Sequence, residues 1–93
     1  MEKSEITGYV NDIHGEGLPG ALVTLEGLTE SVTLTTITSA NGHYAFRELG
    51  PGKYKVTASM SGFKTSYQKV GLQMGENKEV DLTLDDDGVS EVG

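Results

Sequence analysis

Ninety-three residues, of which 35% are hydrophobic and 6% aromatic with no Trp, set the scale of one domain with a small core. A chain of this length buries only ~60–65% of the surface that its unfolded form exposes, so modest stability is expected. A formal net charge of -7 argues against a nucleic-acid partner, whose phosphates need clustered Lys and Arg. The absence of Cys removes disulfides, thiolate nucleophiles and thiolate metal ligands, and leaves the redox compartment open. No apolar run is long enough to span a bilayer, and Met1 to Glu5 lacks the apolar segment of a signal peptide, so any export signal is expected outside this chain.

In chain order, Ile6-Thr7-Gly8-Tyr9-Val10 alternates as a first strand with Ile6, Gly8 and Val10 on one face. Asn11 to Pro19 is dense in turn formers and reads as a loop. Ala21, Val23 and Leu25 point inward from a second strand that Gly27 closes. Val32 to Thr38 is rich in β-branched residues and forms a third strand. Its Ile37 has the opposite parity to Val32, Leu34 and Thr36, which predicts a bulge or an edge position.

Asn41-Gly42 accepts positive φ between two strand-like runs and marks a hairpin, after which Tyr44 and Phe46 share a face. Gly50-Pro51-Gly52 reverses the chain again. A strand follows with Tyr54, Val56 and Ala58 inward and Lys53, Lys55, Thr57 and Ser59 wet. Phe63 to Leu72 changes parity near its middle, which predicts a break or bulge. Val80, Leu82 and Leu84 then form one last strand, alternating with Glu79, Asp81 and Thr83.

This gives seven strands with turn signals every eight to twelve residues, the pattern of an all-β, antiparallel-type two-sheet sandwich of Greek-key type. A small closed barrel is the structural alternative. One domain over residues 1–93 is expected, with its core at about 4–85 and an acidic tail over 86–93.

Ile6-x-Gly8-x-Val10, Leu18-Pro19-Gly20-Ala21-x-Val23, Thr38-x-x-x-Gly42-x-Tyr44-x-Phe46, Leu49-x-x-Gly52-x-Tyr54, Gly62-Phe63 and Val80-x-Leu82-x-Leu84 follow in an order that resembles the carboxypeptidase regulatory-like domain. The resemblance implies a transthyretin-like (prealbumin-like), Ig-like sandwich, used as an accessory module of exported, cell-surface or periplasmic proteins. The motif residues themselves read as structural. Gly8 suits the close approach of another backbone or an aromatic ring, and Tyr44, Phe46 and Tyr54 fill the core.

No catalytic residue is expected. Ser39, His43 and Asp12 can be joined on paper as a triad, but nothing in their context activates a nucleophile. The C-terminal Tyr-Arg-Gly-Ser of the transthyretin-like hydroxyisourate hydrolases has no counterpart in Asp85 to Gly93, so that activity does not carry over. No cofactor is implied.

No metal site is assigned either. Asp85, Asp86 and Asp87 lack the spacing of an EF-hand loop and read as a solvated acidic run, a weak calcium site there being the open alternative. A Lys-Asn isopeptide bond of the adhesin type is not expected, because the strand after Gly52 has no acid and the first strand has no Lys. Two functional readings remain. One is a structural spacer or protein-interaction module whose partners are neighbouring domains or another protein. The other is a carbohydrate-binding module, with Tyr9, Asn11, Asp12, His14 and Tyr67 as candidate contacts.

Overall fold

The computed structural model describes residues 3–29 and 31–86. Among them lie eight strands: β1 (Ser4–Asp12), β2 (Leu22–Gly27), β3 (Thr33–Ile37), β4 (His43–Leu49), β5 (Gly52–Ser59), β6 (Ser66–Leu72), β7 (Asn77–Glu79) and β8 (Leu82–Leu84). They form two sheets. One has the order β4-β1-β7 with β8 also on β1, and the other has the order β3-β2-β5-β6. The expected all-β sandwich is present, and two packed sheets replace the barrel alternative.

Alternation decides the core. Ile6 and Val10 from β1, Tyr44 and Phe46 from β4, and Leu82 and Leu84 from β8 meet Val23, Leu25, Tyr54, Val56 and Ala58 from the facing sheet, all buried. Phe63 lies outside β6, in an isolated bridge to Asp86, so the predicted break in the Phe63–Leu72 stretch falls ahead of the strand. The Lys64 N–H donates to the Asp85 carbonyl at 2.8 Å, which ties the chain beyond β8 to the same turn. The expected tail beyond Asp86, including Asp87, lies outside the described residues.

Two features differ from the seven-strand antiparallel expectation. β1 pairs with both β7 and β8 in parallel, a direction that alternation does not encode. The single last strand expected from Val80, Leu82 and Leu84 is also divided, at Val80–Asp81. The register against β1 is nevertheless the same on both sides of the division, with Thr7 opposite Glu79 and Val10 opposite Leu82. The strand is interrupted without slipping.

The cause lies within the same sheet, on the far side of β1, where Tyr44 of β4 stands opposite Gly8. The Tyr44 hydroxyl donates to the Val80 carbonyl, and that carbonyl leans over Gly8. A Cβ at Gly8 would lie 1.9 Å from the Val80 oxygen, closer than any side chain can come. The Tyr9 N–H donates at 3.0 Å to the Asp81 carboxylate, while the Gln68 side-chain amide from β6 donates to the Asp81 carbonyl at 3.0 Å. Both carbonyls of the division and the Asp81 carboxylate are therefore hydrogen-bonded, and the Gln68 bond links the two sheets.

β3 lies at the edge of its sheet and runs against β2 without a register shift. The exposed Ile37 thus follows from an edge position and not from a bulge. The irregularity occurs in β4 instead, where Ser4 faces Leu49 but Ile6 faces Phe46, so Arg47 and Glu48 share one position opposite β1. Glu48 has φ 59°, the only left-handed non-glycine residue described.

Candidate interaction surfaces

The loop of residues 13–19 is held at its base by its own polar groups. The Asp12 carboxylate accepts from the His14 N–H at 2.8 Å and the Glu16 N–H at 3.0 Å. The backbone bond from Glu16, followed by that from His14 and by the His14 charge, holds the carboxyl below its ordinary value despite some desolvation. The loop then docks on the Asn41-Gly42 turn, which joins β3 to β4 in the other sheet, so this turn is a crossover between the sheets and not the hairpin that the sequence predicts. Leu18 N–H donates to Val10 O at 2.8 Å, Val10 N–H donates to Gly42 O at 2.8 Å, and Gly17 meets the Asn41 carbonyl so closely that its Cβ would lie 2.1 Å from that oxygen.

Thr38 secures the other side. Its hydroxyl is buried, donates to Leu18 O at 2.6 Å and accepts from the Ala21 N–H at 2.8 Å. The turn that follows uses Ser39 in the same way, its hydroxyl donating to the Asn41 side-chain oxygen at 2.6 Å and accepting from the His43 N–H. The His43 ring meets Tyr9 edge-on, with centroids 5.1 Å apart. The three members of the paper triad are thus engaged in two turns and a ring contact.

Of the candidate ligand contacts, Tyr9 and Asn11 lie on the outer face of β1, and Asp12 and His14 lie where that strand runs into its loop. Tyr67 belongs to β6 in the other sheet, where it is exposed with the Lys55 ammonium 4.5 Å from its ring centroid. The structure brings the first four to one end of the molecule and sets Tyr67 on the opposite face. Among the described residues no group of three or more His, Cys, Asp or Glu could hold a metal ion. No helix among them is long and apolar enough to cross a membrane.

Two surfaces are distinctive. On the outer face of the β3-β2-β5-β6 sheet, the pairing aligns Thr35, Thr24, Thr57 and Tyr67 in one row and Glu26, Lys55 and Lys69 in the next. With Lys53, an acidic chain thereby presents a locally basic, hydroxyl-rich face, indented by an open hollow of about 260 Å³ between Leu28, Lys53, Lys69, Val70 and Gly71. The second is the free edge of β3. Since Val32 bonds to Gly27 at the end of β2 and Thr38 to Ala21 just ahead of it, ladder alternation turns the backbone groups of Thr33, Thr35 and Ile37 away from the sheet. Exposed Leu34 and Ile37 flank them.

The residues whose bonds sequence reasoning missed are Asp81, Ser4 and Gln68, and also Thr38, which it noted only as a motif position. Each sits in a plain alternating strand or at its end, and none carries a local signal of its long-range bond. Ser4 is buried, and its hydroxyl donates to Gln73 O at 2.6 Å and accepts from the Glu76 N–H at 3.1 Å. The start of β1 is thereby tied to the turn before β7.

Comparison with known proteins agrees with this geometry. The chain is 30% identical over 84 residues to structural protein 27 of a virus (isolate Australia/Victoria), a match that covers 90% of this chain and 15% of the viral protein. Its fold matches that of GBS52, the minor pilin of Streptococcus agalactiae, with a TM-score of 0.78 and 14% identity, over 99% of this chain and 48% of the pilin. It also matches 3-chlorocatechol 1,2-dioxygenase of Rhodococcus opacus, with a TM-score of 0.73 and 9% identity, over 91% of this chain and 60% of the enzyme. At such identities the likeness to the pilin and to the dioxygenase is one of fold alone. The family model of the carboxypeptidase regulatory-like domain matches residues 5–85, and the chain belongs to that family.

Proposed function

We propose that this domain is a non-catalytic structural spacer, or interaction module, of a larger exported or cell-surface protein. The observation that carries the reading is the use made of the polar side chains. Asp12, Thr38, Ser39, Asp81 and Ser4 are the groups that would first be considered for chemistry, and each is bonded to the chain's own backbone. Groups committed in this way fix turns and strand ends and are not poised to abstract a proton or attack a substrate. A viral structural protein and a pilin among the similar proteins fit the same role.

Carbohydrate binding through Tyr9, Asn11, Asp12, His14 and Tyr67 is the competing reading. It needs an aromatic platform, whereas Tyr9 is packed against His43, Tyr67 lies under Lys55, and the two rings are on opposite sheets. Calorimetric titration with cello-, chito- and xylo-oligosaccharides tests between them. The spacer reading expects no saturable heat. Saturable binding abolished by Tyr9→Ala or Tyr67→Ala would replace it with the carbohydrate reading.

A further inference from the structure

The direction of the last strands has a mechanical consequence. β1 pairs in parallel with β7 and β8 in one continuous register, from Glu5 opposite Asn77 to Asp12 opposite Leu84. The chain therefore enters the sandwich at the Ser4 end and leaves it at the Asp12 end, a strand's length away. Tension between the two ends pulls β1 and β8 in opposite directions along their common axis. All the hydrogen bonds of the ladder are then loaded together instead of opening one after another.

The division at Val80–Asp81 would be the weak point of such a ladder, and it is bridged. Thr7 O accepts from the Val80 N–H at 2.8 Å. The Val80 carbonyl, which would receive the Tyr9 N–H in a regular parallel ladder, is turned to the Tyr44 hydroxyl, and the Asp81 carboxylate takes the Tyr9 N–H in its place. β4 flanks β1 on its other side from Ser4 to Tyr9, so β1 is held along both edges.

We infer that the domain bears load, the parallel β1–β7/β8 ladder resisting end-to-end tension in shear with Asp81 as the side-chain clamp that carries it across the division. The spacer reading supplies the use for this property, while the geometry stands independently of it.

Because the chain has no Cys, handles can be placed at will for single-molecule pulling of the full chain. Lys3→Cys with Asp86→Cys loads the ladder in shear. Lys3→Cys with Met74→Cys loads it by peeling, because the Ser4 hydroxyl bonds to Gln73 and so holds the exposed Met74 turn at the entry end. The expected result is a single rupture in shear that releases about 250 Å of chain, at a force well above that of the peeling pair. Forced unfolding follows the unfolding rate, so Asp81→Ala is expected to lower the shear force, and Asp81→Asn, which keeps the acceptor, to restore it. Equal forces in the two geometries would overturn the inference, whether or not Asp81→Ala folds. Failure here leaves the oligosaccharide titration unaffected, so the two readings fall separately.

Discussion

At the residue scale, the side chains with the largest structural effects act on backbone far away in sequence. Tyr44 is buried, and burial first, then the charges of Asp81 and Glu79, pushes its phenol well above the usual range, so it is a committed donor to Val80. Tyr44→Phe removes that donor and leaves a buried carbonyl unpaired, which is expected to cost about 1–3 kcal/mol. Urea denaturation measures this loss, and an unchanged midpoint would show that the carbonyl finds another donor. Glu48 provides a change of opposite sign. Its left-handed backbone is strained for any residue with a Cβ, so Glu48→Gly is expected to raise stability by about 0.5–1 kcal/mol in the same assay. Gly8 was legible as a point of close approach, because glycine in a strand interior otherwise only weakens it. That the approaching group is the Val80 carbonyl was not legible, since the donor that turns it is 36 positions away.

At the scale of elements, alternation located the strands and their inward faces with few errors. It could not report direction, so the parallel β1–β8 pair escaped it, nor could it show a division that leaves the inward parity of Val80, Leu82 and Leu84 intact. The loop was recognisable from the turn formers of Asn11 to Pro19, although β1 takes Asn11 and Asp12, but the service of the Asp12 carboxylate at its base was not. That carboxyl is held below its ordinary value in the fold. Its contribution is therefore complete above the unfolded value of about 3.9 and is lost as pH falls through the lower folded value. Amide exchange at His14 and Glu16 is accordingly expected to rise, relative to the β1 core, as pH drops below about 4. Asp12→Asn should blunt this pH response. β3 carries a liability of another kind. Its edge, Thr33 to Ile37, is uncharged and free of Pro, the composition that pairs with other chains. Thr35→Lys places a charge on the exposed edge and is expected to slow light-scattering growth on heating while changing stability by at most about 0.5 kcal/mol. Unchanged aggregation would show that another segment nucleates it.

At the scale of the whole molecule, the two sheets are joined by a core of alternating apolar residues and by Gln68 bonding to Asp81. The entry and exit strands lie side by side and run the same way. Such a domain adds its own length to any chain that passes through it, which is the property asked of a spacer. The sequence resemblance pointed to an accessory module of this kind, and the family match supports its fold. The end-to-end arrangement follows from the parallel pairing of β1 with β7 and β8, which is invisible in composition or periodicity. The most direct test is the distance between spin labels attached at Lys3→Cys and Asp86→Cys, read by pulsed electron paramagnetic resonance on the folded chain. The 9 residues of β1 rise about 3.3 Å each, and the account predicts a narrow distribution centred at about 30 Å or more. A distance below about 15 Å would place both ends on the same side of the sandwich and contradict the spacer geometry.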